Sequence, residues 1–114
     1  MPPRDWKIRL RDILRAAEKI VFNTKNLDYE SFSSDEWTVD AVLHNFTVIG
    51  EAARALPDET ARSHPDIPWV EMSDMRNLVV HEYFGVDLEI VWNTIRNDLP
   101  SLIAQIKPLL VKRD

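Results

Sequence analysis

Trp6-Lys7-Ile8-Arg9-Leu10-Arg11-Asp12-Ile13-Leu14-Arg15-Ala16-Ala17-Glu18-Lys19-Ile20-Val21 decides the fold class. Its apolar residues Trp6, Leu10, Ile13, Leu14, Ala17, Ile20 and Val21 recur at three- and four-residue intervals, the signature of an amphipathic helix over residues 4–23. Asn23-Thr24-Lys25-Asn26 closes it, and the following stretch through Tyr29 and Phe32 reads as a connector with apolar anchors. Ser33 and Glu36 fit a capping box that opens a second helix running to about Leu56, with Val39, Val42, Leu43, Phe46, Ile49 and Ala53 inward. Gly50 inside that helix costs about 1 kcal/mol relative to alanine, which predicts a close helix crossing there.

Further along, Pro57-Asp58 restarts the chain as a short helical turn in a proline-marked region that also holds Pro65 and Pro68. A third long helix is expected from about Pro68 to Phe84, stopped by Gly85 as a C-terminal glycine. Asp87 caps a fourth containing Leu88, Val91, Trp92 and Ile95. Pro100 bends or restarts it into a last segment through Leu110, which Pro108 also disturbs. Only two glycines and no sustained alternation of apolar and polar residues argue against a sheet. The expectation is a single all-α domain over residues 1–114, a four- to five-helix bundle. Four tryptophans, at 6, 37, 69 and 92, are many for one small core, so some are candidates for dimer anchors beside their ordinary packing role.

Apolar content of 45% with 29% charged residues is that of a globular chain. The absence of cysteine leaves neither a disulfide framework nor a thiolate metal site. No apolar run approaches membrane-spanning length and the amino terminus leads directly into a charged helix, so no signal peptide, no membrane and a cytoplasmic location are expected. A net charge of −5 weighs against a broad non-specific nucleic-acid binder. The charge is uneven, however: residues 1–20 hold six bases (Arg4, Lys7, Arg9, Arg11, Arg15, Lys19) against three acids (Asp5, Asp12, Glu18). Such a strip is compatible with flanking a small anionic-ligand cleft, although a solvated face with paired charges such as Asp5 with Arg9 is the preferred explanation.

Function concentrates in Arg76-Asn77-Leu78-Val79-Val80-His81-Glu82-Tyr83, which places a fixed cation, a group that titrates near neutrality and a phenol within about two turns of helix. Histidine can take a proton from a ribose 2'-hydroxyl or give one to a leaving oxygen, and arginine presents a planar fork of donors to phosphate oxygens. That trio suits metal-free phosphodiester cleavage in RNA. At about 100° per residue, Arg76 and Tyr83 lie nearly in line, whereas Arg76 and His81 diverge by roughly 140°. The two would converge on one phosphate only in a cleft against another surface, such as a symmetric partner helix. Asn77, four residues before His81, shares its face and could hydrogen-bond the imidazole. Glu51 is either a solvated acid or, within its run of small residues, the holder of a basic group such as Arg76. Glu82 is simply an exposed neighbour. Taken alone, each of these residues also has a structural reading: a histidine near an arginine is commonly surface structure, and a lone tyrosine is usually a packing residue. His44 and His64 show no ligand-like spacing to each other or to His81, so neither metal nor cofactor is expected.

The pattern of Arg76, Asn77, His81 and Tyr83 resembles the HEPN domain signature. Val48-Ile49-Gly50-Glu51-Ala52-Ala53, Pro68-Trp69, Met75-Arg76-Asn77, Tyr83-Phe84-Gly85-Val86-Asp87, Val91-Trp92 and Asp98-Leu99-Pro100 extend the resemblance to the HepT-like branch, over about residues 4–111. The resemblance implies an all-α homodimer in which Arg76 and His81 of both subunits line a composite cleft, acting as a metal-independent endoribonuclease that leaves a 2',3'-cyclic phosphate. It further implies the toxin half of a toxin-antitoxin pair, whose partner, a minimal nucleotidyltransferase, silences it by transferring AMP to Tyr83. Members often have glycine before the Met-Arg-Asn run; Asp74 stands here instead, and a carboxylate so near would work against phosphate binding. The competing expectation is a non-catalytic HEPN dimer that uses the same Arg76 and His81 to hold a nucleotide or a nucleotidyltransferase partner.

Overall fold

The computed structural model describes the backbone over residues 3–111 and the side chains over 6–111, so the ends of the chain, including Arg4 and Asp5 and hence the Asp5–Arg9 pairing, lie outside the described side chains. Within it are five longer helices, α1 (Pro3–Thr24), α3 (Glu36–Ala55), α5 (Trp69–His81), α6 (Leu88–Asn97) and α7 (Leu99–Val111), and two short ones, α2 (Tyr29–Ser33) and α4 (Asp58–Ser63). The all-α expectation holds, with the five longer helices at the upper end of the expected number. α3 lies between α1 and α5, while α7 packs on the other side of α1 and α6 joins α7. Leu10, Ile13, Ala17 and Ile20 of α1 meet Val42, Leu43, Phe46 and Ile49 of α3 in one contiguous buried cluster, which Val91, Ile95, Leu102 and Ile106 extend.

Several boundaries differ from those read off the sequence. The connector contains a turn of helix, α2, because the Asp28 carboxylate caps it by accepting from the Ser31 amide at 2.8 Å, and Phe32 is fully buried beneath it. That bond holds the Asp28 carboxyl below its ordinary range. No capping box forms between Ser33 and Glu36. Ser33 is spent as the last residue of α2, and Asp35 caps α3 instead, accepting from the amides of Trp37 and Thr38 at 3.1 and 3.4 Å and from the Thr38 hydroxyl at 2.9 Å. Pro108 lies inside α7, yet the helix continues to Val111; a proline in the last turn forfeits a single backbone bond. Asp87 caps α6 as expected, accepting from the Glu89 amide at 3.0 Å.

The tryptophans divide. Trp92 stacks on Phe32 with ring centroids 5.1 Å apart, Trp69 donates its indole N–H to the carbonyls of Ala61 and His64, and Trp6 is half-buried against the core. Trp37 alone is open, with 87% of its surface exposed.

Arg96 ties α6 to the end of α1. Its guanidinium lies 4.4 Å from the Trp92 ring centroid and donates to the carbonyls of Thr24, at 3.1 Å, and Leu27. Thr24 is the last residue of α1 and its carbonyl also accepts from the Leu27 amide, while Leu27 lies in the connector beyond it, so the cation bridges helix end and connector at the negative end of the helix dipole. Arg96→Ala is expected to lower unfolding free energy in denaturant titrations by about 2 kcal/mol. Arg96→Lys should recover only part of it, because an ammonium lacks the planar fork.

Candidate active site

The site is built on the crossing of α3 and α5, and Gly50 sets how close these helices come. A Cβ on Gly50 would lie 2.1 Å from the Arg76 Cβ and 2.8 Å from the Met72 carbonyl oxygen. No rotamer change relieves either contact, since one atom is the root of a side chain and the other is backbone. The crossing inferred from Gly50 is therefore present, and its contact point is Arg76 itself.

Arg76 is anchored from both helices. Its Nε–H donates to Glu51 Oε2 at 2.7 Å and its Nη1 donates to Asn77 Oδ1 at 3.0 Å. Arg76 retains 22% side-chain exposure and Glu51 54%, so water still reaches the pair and its worth as an ion pair is small. Geometry matters more: two of the five guanidinium N–H groups are committed, which fixes the plane and leaves three for an incoming anion. The pairing of Glu51 with Arg76, one of its two sequence readings, is the arrangement observed.

Asn77 departs from expectation. Its side-chain oxygen accepts from Arg76 and, at 3.3 Å, from Arg54, and is thus turned to the guanidinium groups instead of to His81. Two guanidinium donors within reach of that oxygen set its direction. Arg54 is a residue that the sequence reading missed. Its signal was spacing, because it follows Glu51 by three positions and so shares that face of α3. Asp74 lines a separate cleft with Met72, Met75, Leu78, Leu99 and Leu102, about 200° around α5 from Arg76. Its carboxylate does not join the Arg76 cluster.

His81 is the last residue of α5 and is exposed. The helix stops three residues earlier than the expected Phe84. Tyr83–Gly85 form a 3-10 turn closed by a bond from the Gly85 amide to the Glu82 carbonyl. Gly85 is not a left-handed cap, since no glycine here has positive φ, and a Cβ on it would meet open space. Consequently Tyr83 leaves the helical stripe on which it would have followed Arg76. Its hydroxyl crosses instead to α3 and donates to Asp40 Oδ1 at 3.1 Å. Partial burial, the bond to Asp40 and that carboxylate's charge together raise its ionisation above the ordinary phenol range. Asp40, like Arg54, carried no motif; it lies eleven residues before Glu51, three turns along the same face. Among the described residues no group of three or more His, Asp or Glu is placed to hold a metal ion.

These contacts have measurable consequences. Gly50→Ala gains about 1 kcal/mol of helix propensity. Overpacking of about 1–3 kcal/mol opposes it, and at 2.1 Å from a Cβ the upper end applies. Net destabilisation is expected in denaturant unfolding, with loss of the Glu51–Arg76 contact. In a Tyr29→Phe background, which leaves Tyr83 as the one phenol, an absorbance titration should place its midpoint above the usual value of about 10. Asp40→Asn should lower that midpoint, because the carboxylate's charge opposes formation of phenolate.

Residues 13–109 match the ribonuclease HepT-like family. A Thermococcus cleftensis protein named as a probable ribonuclease HepT is 41% identical over 106 residues, covering 93% of this chain and 96% of the other. A Methanocaldococcus jannaschii protein, named as a candidate RNase, is 34% identical over 107 residues, covering 94% and 98%. A third, from Caldanaerobacter subterraneus and similarly named, is 37% identical over 103 residues, covering 90% and 92%. No solved structure matches the chain significantly. With nearly the whole length aligned, and with Gly50 and Arg76 meeting at the crossing its sequence called for, this chain belongs to the ribonuclease HepT-like family.

Proposed function

We propose that this protein is a metal-independent endoribonuclease, a single domain over residues 1–114 that acts as a homodimer in the cytoplasm as the toxin of a toxin-antitoxin pair. The observation that carries the reading is Arg76: family membership supplies the ribonuclease class, and Arg76 is held rigidly by Glu51 and Asn77 with three donors left over. Those donors suit the non-bridging oxygens of a scissile phosphate, where negative charge grows in the transition state. His81, exposed at the helix end, takes the proton of the 2'-hydroxyl or returns one to the departing 5'-oxygen. In-line attack of the 2'-oxygen forms the new P–O bond as the 5'-oxygen leaves, and the product is a 2',3'-cyclic phosphate.

Arg76 and His81 point in different directions from one helix, so a second protomer is the natural wall of the cleft. Pairing two copies would bring a guanidinium of one to the imidazole of the other. Tyr83, two residues beyond His81, contacts substrate and is the atom at which a nucleotidyltransferase antitoxin silences the toxin by transferring AMP. Among the described residues no helix is long and apolar enough to cross a membrane. A second reading, a non-catalytic dimer that binds a nucleotide or a nucleotidyltransferase partner, draws support from the commitment of Arg76 to Glu51.

Purified protein incubated with total bacterial RNA in EDTA is expected to generate new ends bearing cyclic phosphate. His81→Ala and Arg76→Ala should each reduce cleavage by at least about a hundredfold while leaving the far-ultraviolet circular dichroism unchanged. Absence of cleavage by wild type with unmodified Tyr83, verified by intact mass, would favour the binding reading.

A further inference from the structure

Asp40 has no part in the ribonuclease chemistry above, yet its carboxylate accepts from the Tyr83 hydroxyl at 3.1 Å. Asp40 sits on the second turn of α3, so its position is set by a helix anchored in the core. Among the described residues it forms no ion pair, and its charge is therefore not neutralised by a neighbouring cation. Tyr83 is 41% exposed and its neighbour Phe84 fully so, which leaves the phenol oxygen open to a large electrophile. The Phe84 ring stands edge-on to Tyr83 at 5.4 Å and limits the directions of approach.

We propose that Asp40 is the proton acceptor that makes the Tyr83 hydroxyl a nucleophile toward phosphorus. This rests on the modification reading of Tyr83 given above and assigns one half of the chemistry to this chain: a partner nucleotidyltransferase brings the nucleoside triphosphate, and the base is already hydrogen-bonded to the acceptor oxygen. The Tyr83 oxygen bonds to the α-phosphorus as the bond from that phosphorus to the bridging β-oxygen breaks. Pyrophosphate leaves with the electron pair, the phenolic proton passes to Asp40 and then to water, and a tyrosyl phosphodiester remains. No oxidant or reductant enters. A phenol that holds its proton at neutral pH offers almost no phenolate, so the proton must be lost during attack. Carboxylates do the same for substrate hydroxyls in phosphoryl transfer by protein kinases. Once modified, the oxygen has no proton to donate, and a phosphodiester anion replaces the phenol beside the Asp40 carboxylate.

A fluorophosphonate tests the base without any partner, because it is a phosphorus electrophile that forms the same kind of P–O bond with loss of fluoride. Labelling of Tyr83 and Tyr29 would be followed by peptide mass mapping in wild type, Asp40→Asn, Asp40→Ser and Asp40→Glu, with circular dichroism as the folding control. Tyr83 is expected to label faster than Tyr29. Removal of the carboxylate in either Asn or Ser should slow Tyr83 by about a hundredfold, the lower end of what a positioned base contributes, and Glu should restore part of the rate. Equal labelling of Tyr83 with and without the carboxylate would overturn the proposal, leaving Asp40 as an anchor for the turn. The modification reading fails separately: intact mass would then detect no AMP adduct on wild type produced together with a nucleotidyltransferase, whatever the fluorophosphonate rates. An equal adduct on wild type and Asp40→Asn would sink Asp40 while sparing that reading.

Discussion

Where α3 crosses α5 there is no room for a methyl group. Gly50 lets the backbone of one helix rest against the Cβ and Cγ of Arg76 on the other, and everything polar in the site is arranged around that contact. Because the helices touch here, Glu51, next in sequence to Gly50, lies within 2.7 Å of the Arg76 Nε. A glycine in a helix interior is a local cost of about 1 kcal/mol. Here it is offset by the packing that the close approach permits, and its effect is to fix the position of a guanidinium near solvent.

Around Arg76 the electrostatics are nearly balanced. Glu51 neutralises one guanidinium, Asn77 orients two, and Arg54 adds a second cation without a carboxylate partner among the described residues. A net charge of −5 for the chain is thus compatible with a local excess of donors at one crossing. That local excess, and not the average, governs how a single phosphate would be held. The acids that would oppose it are directed elsewhere: Asp74 lines another cleft, and Asp40 is engaged by Tyr83.

The end of α5 shows a second dependence on tertiary contact. Helix periodicity alone would carry the chain on to Phe84, with Tyr83 above Arg76. In the fold the helix yields at Glu82, and the next three residues wind into a tighter turn that delivers the phenol to α3. His81 thereby becomes a terminal residue, exposed beside a break, while Arg76 stays clamped in the middle of the helix. The two groups of the proposed chemistry differ in how they are held: Arg76 by two side chains and a helix crossing, His81 by no side-chain hydrogen bond among the described residues.

Helical class, the approximate extents of α1 and α3, the cap at Asp87 and the close approach at Gly50 were all legible in the sequence, because each follows from local rules: apolar spacing, side-chain acceptors next to free amides, and the cost of a glycine that packing must offset. Caps at Asp28 and Asp35 were not, since several short polar side chains competed for each helix start and only the folded path selects among them. Arg76, His81, Asn77, Glu51 and Tyr83 could be singled out by residue type and spacing. Their partners could not, because Asn77 facing Arg54 and Tyr83 reaching Asp40 join residues 23 and 43 apart in sequence, and the cleft that Asp74 lines needs α6 and α7 as well. Local sequence determines which helices form and which face is apolar; the register between α3 and α5, set by the missing Cβ of Gly50, decides which polar groups meet.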